Sequence, residues 1–432
     1  MESLRVPRAS SVPPALADDA SPLAPPSGFS PRQSTRELRA TYLATCEALG
    51  CAPTRPLVEA LDRALANDAE LYFVKLNGNS KELFDDRLSA KQVEALALAL
   101  RGNDTVAELD LSYNFIDDDG IAPLAETLRG HNTALLSLNV RGNELGARGA
   151  ASVAAALSDP AGAPLTDLNL RGNPIGDAGA DALAAMLRVN KTLLDLDMSD
   201  CDLGIAGVVA ALAAVRDDNE TLESLALENP RIRTFSEEHA WHAAKMLGNN
   251  RTLRALRCGK WRLGSDGLEQ VVAYGLCAND ALETLDLRGN AVDEIGGAHV
   301  ARALRENRSL RVLNLEANKL GDVGARLIAE ALPHAASLLE LDVRSNGVRE
   351  GGLAALAEGA RAMPTRPKLV RLWGNDFGEP GSVACEKWCA LLRECEARGA
   401  PMKADITFRE VDGVICVARM TEIGTKEVGN TF

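Results

Sequence analysis

The sequence predicts an α/β solenoid, a stack of strand–turn–helix units in place of one closed core. Three observations predict it. One short segment changes its apolar period midway. That segment recurs ten times at a nearly constant step. The stretches before and after the array break the pattern as end caps would.

Residues 1–33 come first and are rich in Pro, Ala and Ser, which reads as a disordered tail. The opening stretch also lacks the apolar stretch of a secretory signal. Ser34 and Glu37 have capping-box spacing and open a helix through about Leu49. After a Gly-Cys-Ala-Pro break, Pro56 opens a second helix, PLVEALDRALAND. Residues 34–70 therefore form a helical cap over the first strand. A terminal unit needs one because it lacks a neighbour.

The repeat is clearest in LTDLNLRGNPIGDAGADALAAMLRVNKT, residues 165–192. Leu168 and Leu170 alternate like a strand with one buried face. Leu183, Met186 and Leu187 fall at helical spacing. Gly172, Pro174 and Gly176 mark the turn between them. The pattern L-x-x-L-x-L-x-x-N recurs with starts at 106, 135, 165, 193, 222, 253, 282, 310, 338 and 367, so the steps run from 28 to 31. A divergent first copy occupies 71–79. No single unit can hide its apolar face, so each needs a copy on both sides. Truncating one of the buried leucines removes about 2–5 kcal/mol.

These repeats resemble leucine-rich repeats, and the period with a full helix is similar to the ribonuclease-inhibitor-like class. The resemblance covers about 71–398 in some eleven units. It implies a parallel-sheet horseshoe with strands on the concave side and helices on the convex side. The segment 225–247, LALENPRIRTFSEEHAWHAAKML, resembles the leucine-rich-repeat-containing protein thirty-four group, which is associated with ciliated and flagellated cells. After the last helix, residues 399–432 carry two β-rich runs around Asp412-Gly413. That dipeptide signals a hairpin, read as a cap that pairs with or shields the final edge.

Two sets of side chains matter for function. Asn114, Asn143, Asn173, Asn290, Asn318, Asn346 and Asn375 form a ladder. An amide donates and accepts, so it can satisfy backbone groups where each strand ends. The second set lies on the concave sheet. One stripe runs Asp110, Asn139, Asn169, Asp197, Ala226, Arg257, Asp286, Asn314, Asp342 and Arg371, and is mostly Asp and Asn. The stripe two residues on mixes signs, from Ser112 through Arg171, Glu228, Arg288 and Arg344 to Trp373. The two stripes read either as cross-strand pairs or as a charged docking surface. The central copies break the ladder, with Pro230 and Trp261 at asparagine positions. Aromatic and arginine anchors typify binding sites, so Phe235, Arg257, Lys260, Trp261, Arg371 and Trp373 are the partner-binding candidates. The alternative is that Trp261 fills space left by the missing amide.

Composition excludes other classes. The net charge of −14 disfavours a nucleic-acid groove and an anionic membrane surface. No apolar run is long enough to span a bilayer. No P-loop, nucleophile elbow or H-E-x-x-H motif occurs. His239 and His242 read as a solvated helix face, Asp117–Asp119 as a helix N-terminus, and the nine cysteines as reduced thiols. The expectation is therefore a non-catalytic, cofactor-free and metal-free cytoplasmic scaffold for other proteins. The resemblance would place it in a ciliary or flagellar axoneme. The alternative is a GTPase regulator, since the array also resembles GTPase-activating proteins for the nuclear-transport GTPase. Those carry an acidic tail, whereas this chain ends in KEVGNTF.

Overall fold

The computed structural model describes residues 34–232 and 237–420. The tail expected over 1–33 and the fraying end past 420 lie outside the described residues.

Each repeat contributes a strand of three residues. They are β1 (Phe73–Lys75), β2 (Glu108–Asp110), β3 (Ser137–Asn139), β4 (Asp167–Asn169), β5 (Asp195–Asp197), β6 (Ser224–Ala226), β7 (Ala255–Arg257), β8 (Thr284–Asp286), β9 (Val312–Asn314), β10 (Glu340–Asp342) and β11 (Leu369–Arg371). A two-residue β12 (Lys403–Ala404) follows, and all pair in sequence order into one parallel sheet. The register is unbroken: Leu109, Leu138, Leu168, Leu196 and Leu225 stand opposite one another and are buried. Each leucine packs between its counterparts above and below, so the core is a continuous column.

The returning segments form the other layer. Helices α3 (Ala90–Ala99), α4 (Asp118–Leu128), α5 (Ala147–Leu157), α6 (Gly176–Val189), α7 (Ile205–Asp217) and α8 (Glu238–Asn249) stack in order. So do α9 (Gly264–Tyr274), α10 (Glu294–Glu306), α11 (Gly321–Ala331), α12 (Glu350–Ala362) and α13 (Val383–Ala397). Small residues let them approach. A Cβ on Gly297 would lie 2.7 Å from the Cα of Gly324, so α10 and α11 touch backbone to backbone. Acids tie successive helix starts together. Asp117 caps its own helix through the Gly120 N–H, whereas Asp118 accepts from Gly146 and Gly149 of the next unit at 2.7 and 2.8 Å. Asp177 does the same for Gly204 and Gly207.

The ends close differently. Helix α1 (Thr35–Leu49) packs on α3, and α2 (Arg55–Ala66) lies beside it, burying Leu38, Tyr42, Leu57 and Leu61. At the other end β12, not the hairpin, extends the sheet. The hairpin of β13 (Ile406–Val411) and β14 (Val414–Arg419) is a separate antiparallel pair. Asp412 and Gly413 turn it with φ of 51° and 79°. It shields the last unit through Phe408 against Phe377 and a hydrogen bond from Gly381 N–H to the Ile415 carbonyl.

Candidate partner-binding face

The concave face is a grid. The first strand residues form one row, the third residues a second, and the residues two beyond the strand a third. The second row is in strict register from Lys75 through Asp110, Asn139 and onward to Arg371. Its Asp and Asn content has a local cause. In all seven units with Asp or Asn there, the side-chain Oδ1 accepts the N–H two residues on, at 2.8–3.1 Å. This Asx bond turns the chain out of the strand. The row is therefore polar for a backbone reason, and Asp and Asn serve alike.

The third row carries the ion pairs. Glu228, only 4 % exposed, receives Arg171 at 3.0 Å and Arg288 at 2.5 Å. Each arginine starts two strands away and lies across a small residue, Ser199 on one side and Gly259 on the other. A Cβ on Gly259 would meet the Arg288 Cγ at 3.0 Å, so the glycine leaves room for the crossing chain. Arg171 also reaches Asp200 at 2.7 Å. Further on, Arg344 joins Asp342 and Glu316, at 2.7 and 2.8 Å. The mixed-sign stripe thus closes on itself over its central and C-terminal parts. Asp286 is buried beside this network, and burial pushes its carboxyl up to about 6.

The ladder asparagines each donate to the carbonyl of the apolar residue that directly follows the preceding strand. Asn114 reaches Leu76 at 2.7 Å, Asn143 reaches Leu111 at 3.0 Å and Asn173 reaches Val140 at 2.9 Å. Asn290, Asn318, Asn346 and Asn375 repeat the contact to Cys258, Leu287, Leu315 and Val343. At two of the three positions that lack the amide a substitute donor stands in, Pro230 being the exception. The Cys201 thiol points at the Leu170 carbonyl, 3.1 Å away. The Trp261 indole N–H donates to the Leu227 carbonyl at 2.6 Å. Trp261 is wholly buried, so it touches no partner. This corrects its place among the binding candidates: it packs edge-on against buried His239, whose Nε2 lies 3.1 Å from the Trp261 carbonyl oxygen. The same contact corrects the reading of His239 as solvated, and burial lowers its pKa.

The other candidates do not form one patch. Phe235 lies outside the described residues. Arg257 is half-buried in the second row, and Lys260 is exposed beyond the sheet. Arg371 and Trp373 belong to the last unit, where Glu340 lies 3.9 Å from Arg371 and the Arg419 guanidinium 5.7 Å from the Trp373 ring. Trp241 points out from the convex helix α8, edge-on against Tyr274.

Sequence reasoning missed a second buried ladder. Asn132, Asn190, Asn219, Asn250, Asn279 and Asn307 donate to carbonyls that end the preceding unit's helical segment, Leu100, Leu157, Leu187, Val215, Leu247 and Leu276. Each also accepts the N–H of the apolar residue three positions on, as Asn219 does from Leu222 at 2.8 Å. The signal was present as N-x-x-L, one asparagine three positions before most repeat starts. Helix ends need such donors because their last carbonyls lack intrahelical partners.

The family described as Leucine Rich repeat matches residues 102–125, 131–154, 163–184, 189–210, 306–329 and 334–357. The matches leave residues 211–305 uncovered, a stretch that includes the two copies with Pro230 and Trp261 at the ladder position. Leucine-rich repeat-containing protein 34 of Mus musculus is 31% identical over 105 residues, 24% of this chain and 25% of that protein. Leucine-rich repeat-containing protein 45 of Gallus gallus is 32% identical over 116 residues, 26% of this chain and 16% of that protein. The chain thus spans a quarter or less of these relatives. Among solved structures, a chain of the yeast Rad7 and Elc1 complex aligns with TM-score 0.45 and 18% identity, over 79% of this chain and 88% of that one. The tropomodulin C-terminal domain of Caenorhabditis elegans aligns with TM-score 0.31 and 13% identity, over 38% and 96%.

Proposed function

We propose that this leucine-rich-repeat solenoid, of the ribonuclease-inhibitor-like type, is a non-catalytic scaffold that holds other proteins on its concave face within a larger assembly. One observation carries the reading. The concave rows are fixed from beneath, the second row by its Asx bonds and the third by ion pairs, so a long polar surface is set before any partner arrives. Such preorganisation lowers the ordering cost of binding. We place it in a cilium or flagellum, as an axonemal component. The resemblance of residues 225–247 supports that placement, as does the short match to the mouse protein. Affinity recovery from the native cell, with and without isolated cilia, tests both parts. Recovery of no stable partner would reject the scaffold, and partners absent from the ciliary fraction would reject the placement.

A further inference from the structure

A groove of about 450 Å³ opens on the rim of the sheet, where the chain turns from the helices back into β7–β10. Arg254, Glu283, Arg311 and Leu339 line it from the position just before each strand, and Arg308 joins them three residues before Arg311. Small residues make the room. Ala281 and Ser309 stand where three earlier units carry Thr192, Thr221 and Thr252, and Ala336 stands where those units carry Lys191, Glu220 and Arg251. The second asparagine ladder also stops here, with Ala335 at the amide's position. The charges in the groove are unbalanced. Arg311 pairs with Glu283, and Asp280 pairs with Arg251, each at 3.2 Å. Arg254 and Arg308 are exposed and, among the described residues, have no carboxylate within 4 Å. Both are nevertheless anchored. Arg254 Nη1 donates to the Ala281 carbonyl at 3.0 Å, and Arg308 Nη1 to the His334 carbonyl at 2.8 Å. A bond through Nη1 orients the guanidinium and leaves Nε and Nη2 without a protein acceptor among the described residues. That edge is the one that takes a carboxylate side-on, through two parallel N–H···O bonds.

We propose that this rim groove receives an acidic stretch of a partner polypeptide, with Arg254 and Arg308 each taking one carboxylate. The class of partner rests on the scaffold reading above, and the site adds a second surface outside the concave rows. Charge singles out the groove. The chain carries −14, so an acidic segment is repelled by the molecule at large and drawn only to a local excess of guanidinium. Its length suits a chain better than a single small anion, since β7 to β10 span three strand spacings, about 14 Å. Arg254 and Arg308 belong to columns two spacings apart, about 10 Å. An extended chain covers that in about three residues. The partner's acids therefore stand about three residues apart.

The experiment titrates the full chain into a labelled (Glu-Gly-Ser)4 peptide at physiological salt and follows anisotropy. The parent is compared with Arg254→Gln/Arg308→Gln. A second comparison is Arg305→Gln/Arg326→Gln, which removes the same charge from exposed helix positions. We expect saturable binding by the parent, about tenfold weaker binding for the groove pair, less than about twofold for the helix pair, and the parent's melting temperature in both. Equal losses in the two pairs would mean a response to net charge and overturn the proposal. So would no binding by the parent up to about 1 mM, unchanged binding in the groove pair, or a lowered melting temperature there, which would make these arginines structural. Displacement of the peptide by an equimolar amount of inorganic pyrophosphate would make the groove a small-anion site and overturn the peptide as its occupant. Native partners recovered equally by the parent and the groove pair would sink this site while leaving the scaffold standing.

Discussion

The Trp261 indole N–H lies 2.6 Å from the Leu227 carbonyl oxygen, at the place where the next unit puts an asparagine amide. An indole is a donor only. It therefore replaces half of the amide's work, the half directed at the preceding strand, and its ring fills the remaining space.

Replacing Trp261 tests this. Trp261→Phe keeps most of the ring and strands the Leu227 carbonyl, costing about 1–3 kcal/mol. Trp261→Ala also opens a cavity and costs about 3–5 kcal/mol. Urea unfolding measures both, and partner recovery is expected to be unchanged for any variant that stays folded. A Phe variant as stable as the parent would show the bond to be incidental.

The array was legible in the sequence because its signal is redundant. Ten starts at a near-constant step fix the strands, and the second concave row was read in its observed register. The causes were less legible. Asp110 and its counterparts read as surface charge, whereas they accept backbone N–H groups. A one-dimensional pattern shows a side chain's type and not the direction of its bond. Trp261 reads in the sequence both as an anchor, because aromatics are rare here, and as a filler of the space left by the missing amide, and its burial and place in the ladder decide for the second. Glu228 reads only as one member of the mixed-sign stripe and not as its hub, since its partners are 57 and 60 residues distant and each meets it across a skipped strand.

The Glu228 clamp makes a prediction of its own. Glu228→Gln leaves two guanidinium groups over a low-dielectric floor with one charge removed. Breaking a buried pair from one side costs about 3–5 kcal/mol. An exposed pair such as Arg148–Asp119 should matter little, so Asp119→Asn shifts stability by less than about 1 kcal/mol. Paired thermal melts would measure the contrast. Equal small effects would mean that solvent screens Glu228 despite its burial.

The second asparagine ladder can be separated from the Asx row. Asn219→Ala removes a donor to Leu187 and an acceptor for Leu222, both buried. A loss of about 2–4 kcal/mol is expected from the stranded groups. Asp197→Asn retains an oxygen for the Ser199 N–H and should be nearly neutral. Denaturant midpoints for the two variants should differ clearly, and similar midpoints would contradict the assignment.

Asp286 supplies the pH test. Burial is the largest cause raising its carboxyl to about 6, so the folded protein holds that proton more tightly than the unfolded chain does. Between the ordinary aspartate value and about 6, the native state binds more protons, so this group's contribution to stability falls as pH rises through that window. Asp286→Asn has no proton to lose and keeps an oxygen for the Arg288 N–H. It gives up the acceptor for Asn314, a loss independent of pH. Relative to the parent, the variant should therefore gain about 2–3 kcal/mol between pH 4 and pH 8, with most of the gain below about pH 6.5. Unfolding free energies measured in parallel at several pH values read this directly. A flat difference would mean that Asp286 ionises in the fold as easily as in water, and that Arg288 and the surrounding backbone donors fully offset its burial.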